Sequence, residues 1–383
     1  MQNKFLTTVF LGINKLFSPL AKNIVAVLTL TFILSLLPVQ AYSQEMNVPL
    51  YSVEDFFIFP EITGFSLSND GESLFFISSV NLVLNVFKRD IATQEDVQLT
   101  FEEEQHVLWF STKGDTLIYI QDAFGDENFS IFRMNEDGTS TNLTPFEGVM
   151  AVPIDMLEDT YADEEILIMM NLEDLTSFNI YRLNIFTNEF EMVFEAVDGL
   201  VLDNNGTARF IAVIEGEEGG NMSLYHRFTD DDEFELVGVI SHSDNFSIVG
   251  FNPTNEYIYA ITNIGRNFNV LASVDPSTLE EIEIIFEHNE VDISGAVVGV
   301  SSPGVLALAV YETDFLNIAF FDQIVKDFYE SALTHFPENT QIVGLDTSDD
   351  LRIGIITIAS DTNRGQQFIF NAEENSIEIL LDY

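Results

Sequence analysis

Catalysis by this chain would have to come from histidine, serine or carboxylate side chains, because it contains no cysteine. That excludes thiol nucleophiles, Cys-ligated zinc, iron–sulfur clusters and disulfides. The five histidines, His106, His226, His242, His288 and His335, lie far apart in sequence. None has the H-x-x-H or H-E-x-x-H spacing that seats zinc on one helix face. His226, beside Arg227 at the end of an apolar run, reads as a surface residue rather than a base. An α/β-hydrolase nucleophile needs G-x-S-x-G on a strand–turn–helix, which exposes the serine at a sharp turn. The nearest string, Gly299-Val300-Ser301-Ser302-Pro303-Gly304, has one residue too many and reads as a β-turn. No glycine-rich phosphate loop and no acidic calcium loop of the D-x-[DN]-x-[DN]-G type occurs. The runs Glu102-Glu103-Glu104 and Asp230-Asp231-Asp232-Glu233 read as solvated turns. With 63 acids in the chain, two neighbouring carboxylates identify no glycosidase pair. No catalytic, cofactor-binding or metal-ligating residue is assigned, and no cofactor is expected.

The elements that would position any site are short strands in a repeating order. Gly64-Phe65-Ser66-Leu67-Ser68 enters the turn Asn69-Asp70-Gly71-Glu72, and Ser73-Leu74-Phe75-Phe76-Ile77 leaves it. Asn85-Val86-Phe87-Lys88-Arg89, the turn Thr93-Gln94-Glu95 and Val97-Gln98-Leu99 complete the unit. Asp-Gly and Asn-Gly favour tight hairpins because the turn needs positive φ. The first turn returns at Gly114, Ala162, Gly206, Asn255, Gly304 and Asp349, in steps of 43–49 residues from Gly71. That is the length of a four-stranded propeller blade. The fold class is therefore all-β, a seven-bladed β-propeller of four-stranded antiparallel blades, with strands that alternate apolar and polar residues. One helical insertion is predicted over residues 325–336. There Val325, Phe328, Tyr329, Ala332, Leu333 and Phe336 form one apolar face ahead of Pro337, a face suited to packing on blade six.

Charge and the N-terminus bound the partners. The chain has 383 residues, a formal net charge of −49 and 46% hydrophobic residues, too many for a disordered acidic tail. Residues 1–23 carry Lys4, Lys15 and Lys22 and no acid, and Ile24–Leu37 are apolar apart from Thr and Ser. Cleavage is expected after Ala41 or Ser43, so residues 1–44 read as a signal peptide and 45–383 as the propeller. Periplasmic or extracellular export follows, with no membrane insertion after cleavage. Losing the leader removes three lysines and takes the net charge to −52. Such a surface has no electrostatic basis for nucleic-acid binding, and an anionic membrane repels it.

Several strings resemble a known family. Val48-Pro49-Leu50-Tyr51-Ser52-Val53-Glu54-Asp55-Phe56-Phe57, then Pro60-Glu61 and Gly64–Ser68, resemble the opening of bacterial prolyl oligopeptidase-family serine peptidases. The types in question are dipeptidyl-peptidases and acylaminoacyl-peptidases. Gly125-Asp126-Glu127-Asn128-Phe129 with Phe132-Arg133, Leu143-Thr144-Pro145-Phe146, Asn263-Ile264-Gly265-Arg266 and Ser360-Asp361-Thr362 continue the resemblance in order. It spans about Val48 to Asp382 and implies the propeller that precedes and caps an α/β-hydrolase domain, admitting short peptides. The family's Ser, Asp and His have no counterpart before Leu380-Leu381-Asp382-Tyr383, so none is carried over. Two functions follow as expectations. One is an exported, non-catalytic propeller that binds a protein or peptide. The other is the propeller half of a serine peptidase whose hydrolase domain is lost or separately encoded and then acts as partner. A pore-centred propeller enzyme would instead need carboxylates or metal ligands converging from several blades.

Overall fold

The structure, a computed structural model, describes residues 62–158, 164–214, 220–338, 340–360 and 363–381, together with Ser52. The expected leader (1–44), Ala162, Asp361, Thr362 and the mature start apart from Ser52 lie outside the described residues. From residue 62 on, the described residues belong to one compact unit.

Seven antiparallel sheets follow one another along the chain, each built from consecutive strands. They cover residues 62–98, 109–142, 151–194, 199–240, 246–286, 293–320 and 341–381. Six have four strands, and the sixth has three. In that sixth blade the helix Gln323–Leu333 follows where a fourth strand would run. Each predicted marker among the described residues falls in the turn between the first and second strands of its blade.

The first strands of neighbouring blades approach one another, which makes them the inner ring around the channel. In six of the seven blades this strand pairs with the second through an irregular register. A bulge bends a strand and sharpens its twist, as crowding around an axis requires. Gly250 sits at such a step, where a Cβ would come within 2.7 Å of Val298 in the next blade.

The middle strands depart from simple alternation. In blade five, Ile258–Thr262 and Val270–Val274 are buried at every position, while Glu281–Phe286 is exposed along most of its length. Neighbouring blades cover both faces of a middle strand, so continuous apolar runs replace the period of two. Buried clusters fill six of the seven seams between blades. Between blades three and four, Phe194 meets Phe234 edge-on at 5.8 Å, and Arg227 lies over both rings.

The helix begins two residues before its predicted start and ends at Leu333, with residues 334–336 in a turn. Asp322 caps it by accepting the Ile324 N–H at 2.8 Å. Val325, Phe328 and Ala332 are buried against Ala307 and Leu308 of blade six and Ile356 and Phe370 of blade seven. The helix thus fills the seam between two blades rather than lying on one.

Candidate functional site

The inner strands bring little charge to the channel. Ile62–Leu67, Trp109–Lys113, Ala151–Asp155, Gly199–Leu202, Phe246–Phe251, Ile293–Val298 and Gln341–Thr347 contain two carboxylates, Asp155 and Asp346, and one cation, Lys113. Lys113 is buried and donates to the Leu157 carbonyl at 2.7 Å. Asp346 is reached by solvent yet crowded by protein atoms, and it accepts the Leu67 N–H at 3.1 Å. That crowding strips water from the carboxylate and raises its pKa despite the hydrogen bond. Four large apolar residues on these strands, Trp109, Ile154, Val297 and Val343, are 39–50% exposed. In an acidic molecule the inner strands are poor in charge, and their exposed residues mix these apolar side chains with Asp155, Asp346, Ser247 and Ser294.

Turns between first and second strands join neighbouring blades around one end of this ring. Asn204 of blade four donates through Nδ2 to the Asn252 carbonyl and to Asn255 Oδ1 of blade five, each at 2.8 Å. Gly304 of blade six then presses on the Asn252–Pro253 backbone, where a Cβ would stand 2.6 Å away. Blade seven closes on blade one in the same way. The Asp349 N–H donates to the Asn69 carbonyl at 2.9 Å, and Arg352 Nη2 donates to the Asp70 carbonyl at 2.8 Å. Among the described residues no strand is exchanged between the first and last blades, so side-chain packing and these turns close the ring.

The histidines do not converge. His226 is not a surface residue: it is 3% exposed, between Phe210 and Phe228, with ring centroids 4.8 and 4.9 Å away. The strand end that exposes Phe228 turns His226 inward onto blade five. Arg209 Nη2 lies 3.3 Å from His226 Nε2, and Arg209 Nη1 donates to Asp203 at 3.0 Å. Burial first, then the Arg209 charge, lower the His226 pKa to about 4, so the ring is neutral and accepts from the guanidinium. His106 Nδ1 accepts the Leu84 N–H at 3.2 Å, His288 stacks on Tyr311, and His335 bonds Asn375 at 3.0 Å. The His242 N–H donates to Asn221 Oδ1 at 3.2 Å.

The other candidate strings hold turns. Gly299–Gly304 forms the first turn of blade six, and Ser301 donates to Asp322, the residue that caps the helix. Asp230 pairs with Arg227, and Asp232 accepts from Thr229 at 2.8 Å, inside an exposed turn. Of the other acidic run, Glu103 and Glu104 are exposed, whereas Glu102 accepts the Tyr119 hydroxyl at 2.9 Å. Among the described residues no three His, Asp or Glu side chains gather as a metal-ligand group. None of the described helices is long and apolar enough to cross a membrane. Sequence reasoning did not find the channel residues, for which the recurrent glycine within Ile62–Leu67, Phe246–Phe251, Ile293–Val298 and Gln341–Thr347 is the usable signal.

A ring of seven radial sheets defines a β-propeller, and comparisons place it near one group of proteins. No protein-family model matches the chain. Dipeptidyl peptidase family member 6 of Caenorhabditis elegans is 26% identical over 281 residues, 68% of this chain and 38% of that protein. Dipeptidyl aminopeptidase BIII of Pseudoxanthomonas mexicana is 22% identical over 264 residues, 66% of this chain and 37% of that protein. A solved prolyl endopeptidase shares the fold over 84% of this chain and 50% of its own, with a TM-score of 0.59 and 13% identity. The chain is thus a propeller similar to those of dipeptidyl-peptidase and prolyl oligopeptidase-type proteins, and it spans under two-fifths of the curated relatives it matches.

Proposed function

We propose that this chain is an exported, non-catalytic propeller that acts by binding a protein or peptide. The observation that carries the reading is the scarcity of charge on the inner strands, where Trp109, Ile154, Val297 and Val343 are open to solvent in a molecule otherwise rich in acids. Exposed apolar side chains around a channel give a polypeptide surface to pack against. The mature chain, immobilised and exposed to an envelope extract at low and high salt, should retain a defined protein or peptide. Retention of nothing at either salt overturns the reading. Export rests on the leader pattern, and N-terminal sequencing of the secreted protein should begin at Tyr42 or Gln44. A cytosolic protein starting at Met1 would count against it.

A second reading is favoured by the share of the relatives that the chain matches. The propeller would work beside an α/β-hydrolase domain, in a longer chain or encoded separately. A serine-directed phosphonate should then label the hydrolase domain in the mixture and leave the propeller itself unlabelled. Labelling of the propeller alone would overturn both readings.

A further inference from the structure

We infer that the outer edge of blade six, Leu316–Phe320, takes up an extended apolar segment of another protein, flanked by lysine or arginine, as a fourth antiparallel strand. The inference is independent of the channel reading and concerns the rim of the ring, not its ends.

Blade six stops at three strands, so Leu316–Phe320 is its outermost. In every other blade an antiparallel fourth strand covers the third. The Phe321 N–H donates to the Ala307 carbonyl, and the Thr313 N–H to the Phe315 carbonyl. Between these bonds the register is unbroken, with Val310 facing Ile318. Hydrogen bonding alternates along an antiparallel pair, so Asn317 and Ala319 bond inward. The N–H and C=O groups of Leu316, Ile318 and Phe320 therefore point outward from the blade. Among the described residues one side chain bonds them, Gln341, whose Nε2 donates to the Leu316 carbonyl at 3.3 Å. The helix packs on the side chains of Ile318 and Phe320, with the Tyr329 ring 5.2 Å from that of Phe320. Leu316–Phe320 is accordingly half-buried throughout, whereas Val270–Val274, the third strand of blade five, is buried at every position.

Sheet edges are guarded by charge, proline, bulges or shortness. Five of the six fourth strands carry an acid, and the other, Ser140–Asn142, has three residues. Leu316–Phe320 has five residues and no charge, proline or bulge, in a chain with 63 acids. Of the seven outermost strands it alone is unguarded. A row of open backbone groups recognises an extended strand, with main-chain bonds giving affinity and alternate side chains giving specificity. Charge narrows the occupant. Glu312 and Asp314 stand exposed where the chain enters this strand, and Asp327 and Glu330 are exposed on the helix packed against it. Lys326 meets Glu330 at 3.7 Å, which leaves the other three acids to attract cations at the ends of an incoming segment. A second copy would instead bring its own Glu312 and Asp314, and a net charge of −49, to the same edge.

The probe is a synthetic peptide of alternating valine and threonine with two lysines at each end. Residue-resolved hydrogen exchange on the dilute mature chain should show fast amides at Ile318 and Phe320 beside slow ones at Asn317 and Ala319. Added peptide should slow Ile318 and Phe320. Replacing its lysines by glutamates should weaken binding at least about tenfold, and N-methylation of its core amides should abolish it. Ile318→Pro deletes an outward donor and spares the ladder to the second strand, so it should cut affinity at least about tenfold. Should that variant fail to fold by circular dichroism, the exchange map of the unaltered chain decides. Slow Ile318 and Phe320 amides in the free, dilute chain would show that the chain covers its own edge. Protection that grows with chain concentration, together with dimers in sedimentation, would assign the edge to a second copy. Either result overturns the proposal, as does no binding at about 1 mM peptide. Protection confined to inner strands, at Val297 and Val343, overturns it too and leaves the channel reading standing.

Discussion

Burial sets the charge of His226, and stability should report it. With a pKa near 4 in the fold against 6.5 when free, the ring binds more protons in the unfolded chain between those values. Stability should therefore rise with pH across that window and be lost as pH falls from 6.5 towards 4. The difference corresponds to roughly 3 kcal/mol. Turn aspartates such as Asp90 and Asp137 are held low by donors from Thr93 and Thr139, so their contributions are lost below the usual aspartate range. His226→Phe keeps a buried ring that cannot titrate. Its melting temperature should change little between pH 6.5 and 4.5, whereas the unaltered protein should lose several degrees; parallel slopes would place the proton elsewhere. Glycine positions give a second residue-scale prediction. Gly304 has φ +72° and backbone atoms 2.6 Å from a would-be Cβ, while Gly114 has φ +55° and open space. Gly114→Ala should cost about 1 kcal/mol from backbone strain alone. Gly304→Ala adds a clash with a neighbouring blade and should cost clearly more in urea denaturation; equal costs would mean that the turn ring does not hold the blades.

At the scale of elements, the helix acts as a wedge between blades six and seven. Phe328 is 5% exposed, meets Phe370 edge-on at 5.2 Å, and would lie 2.7 Å from a Cβ placed on Gly354. Phe328→Ala should destabilise by about 3–5 kcal/mol, as buried aromatic truncations do. Ile324→Ala, on the exposed side of the same helix, should change stability by under about 0.5 kcal/mol. Near-equal effects would show that the helix is a surface attachment. The wedge was legible in Val325, Phe328 and Ala332, because their spacing marks one buried face whatever lies beneath it. Its neighbours were not, since a 3.6-residue period names the face and not the surface it meets. Turn chemistry likewise marked six of the blades, because Asn, Asp and Gly are needed locally at positions such as Gly71, Gly206 and Asn255. Which strand is innermost depends on packing among all seven blades, so Trp109 and Val343 gave no sign of facing a channel. His226 was misread because the rings that bury it, Phe210 on the paired strand and Phe228 past its own strand end, close over it only once the blade has folded. The missing fourth strand of blade six was hidden because a helix can occupy the same place in the chain.

For the whole molecule, the dominant unbalanced term is charge. Six arginines, Arg89, Arg182, Arg209, Arg227, Arg266 and Arg352, each sit in a local ion pair, so the few cations neutralise single acids and leave the rest uncompensated. Exposed pairs contribute about 0–1 kcal/mol each and weaken in salt. Self-repulsion among some fifty excess acids (net charge −49) weakens in salt too, and it opposes folding. The two effects have opposite signs, and the excess of acids makes repulsion the larger. The melting temperature should therefore rise between about 0.01 and 1 M sodium chloride, as the Debye length falls from about 30 to 3 Å. A general salt effect on apolar hydration would also raise it, so a charge-specific control is needed. Glu103 and Glu104 are exposed in a turn, and Glu103→Gln/Glu104→Gln removes two like charges without touching the core. The double variant should melt higher than the unaltered protein at 0.01 M and match it at 1 M. An equal gap at both salts would assign the gain to local turn chemistry, and no gap at low salt would mean that the acids are already compensated.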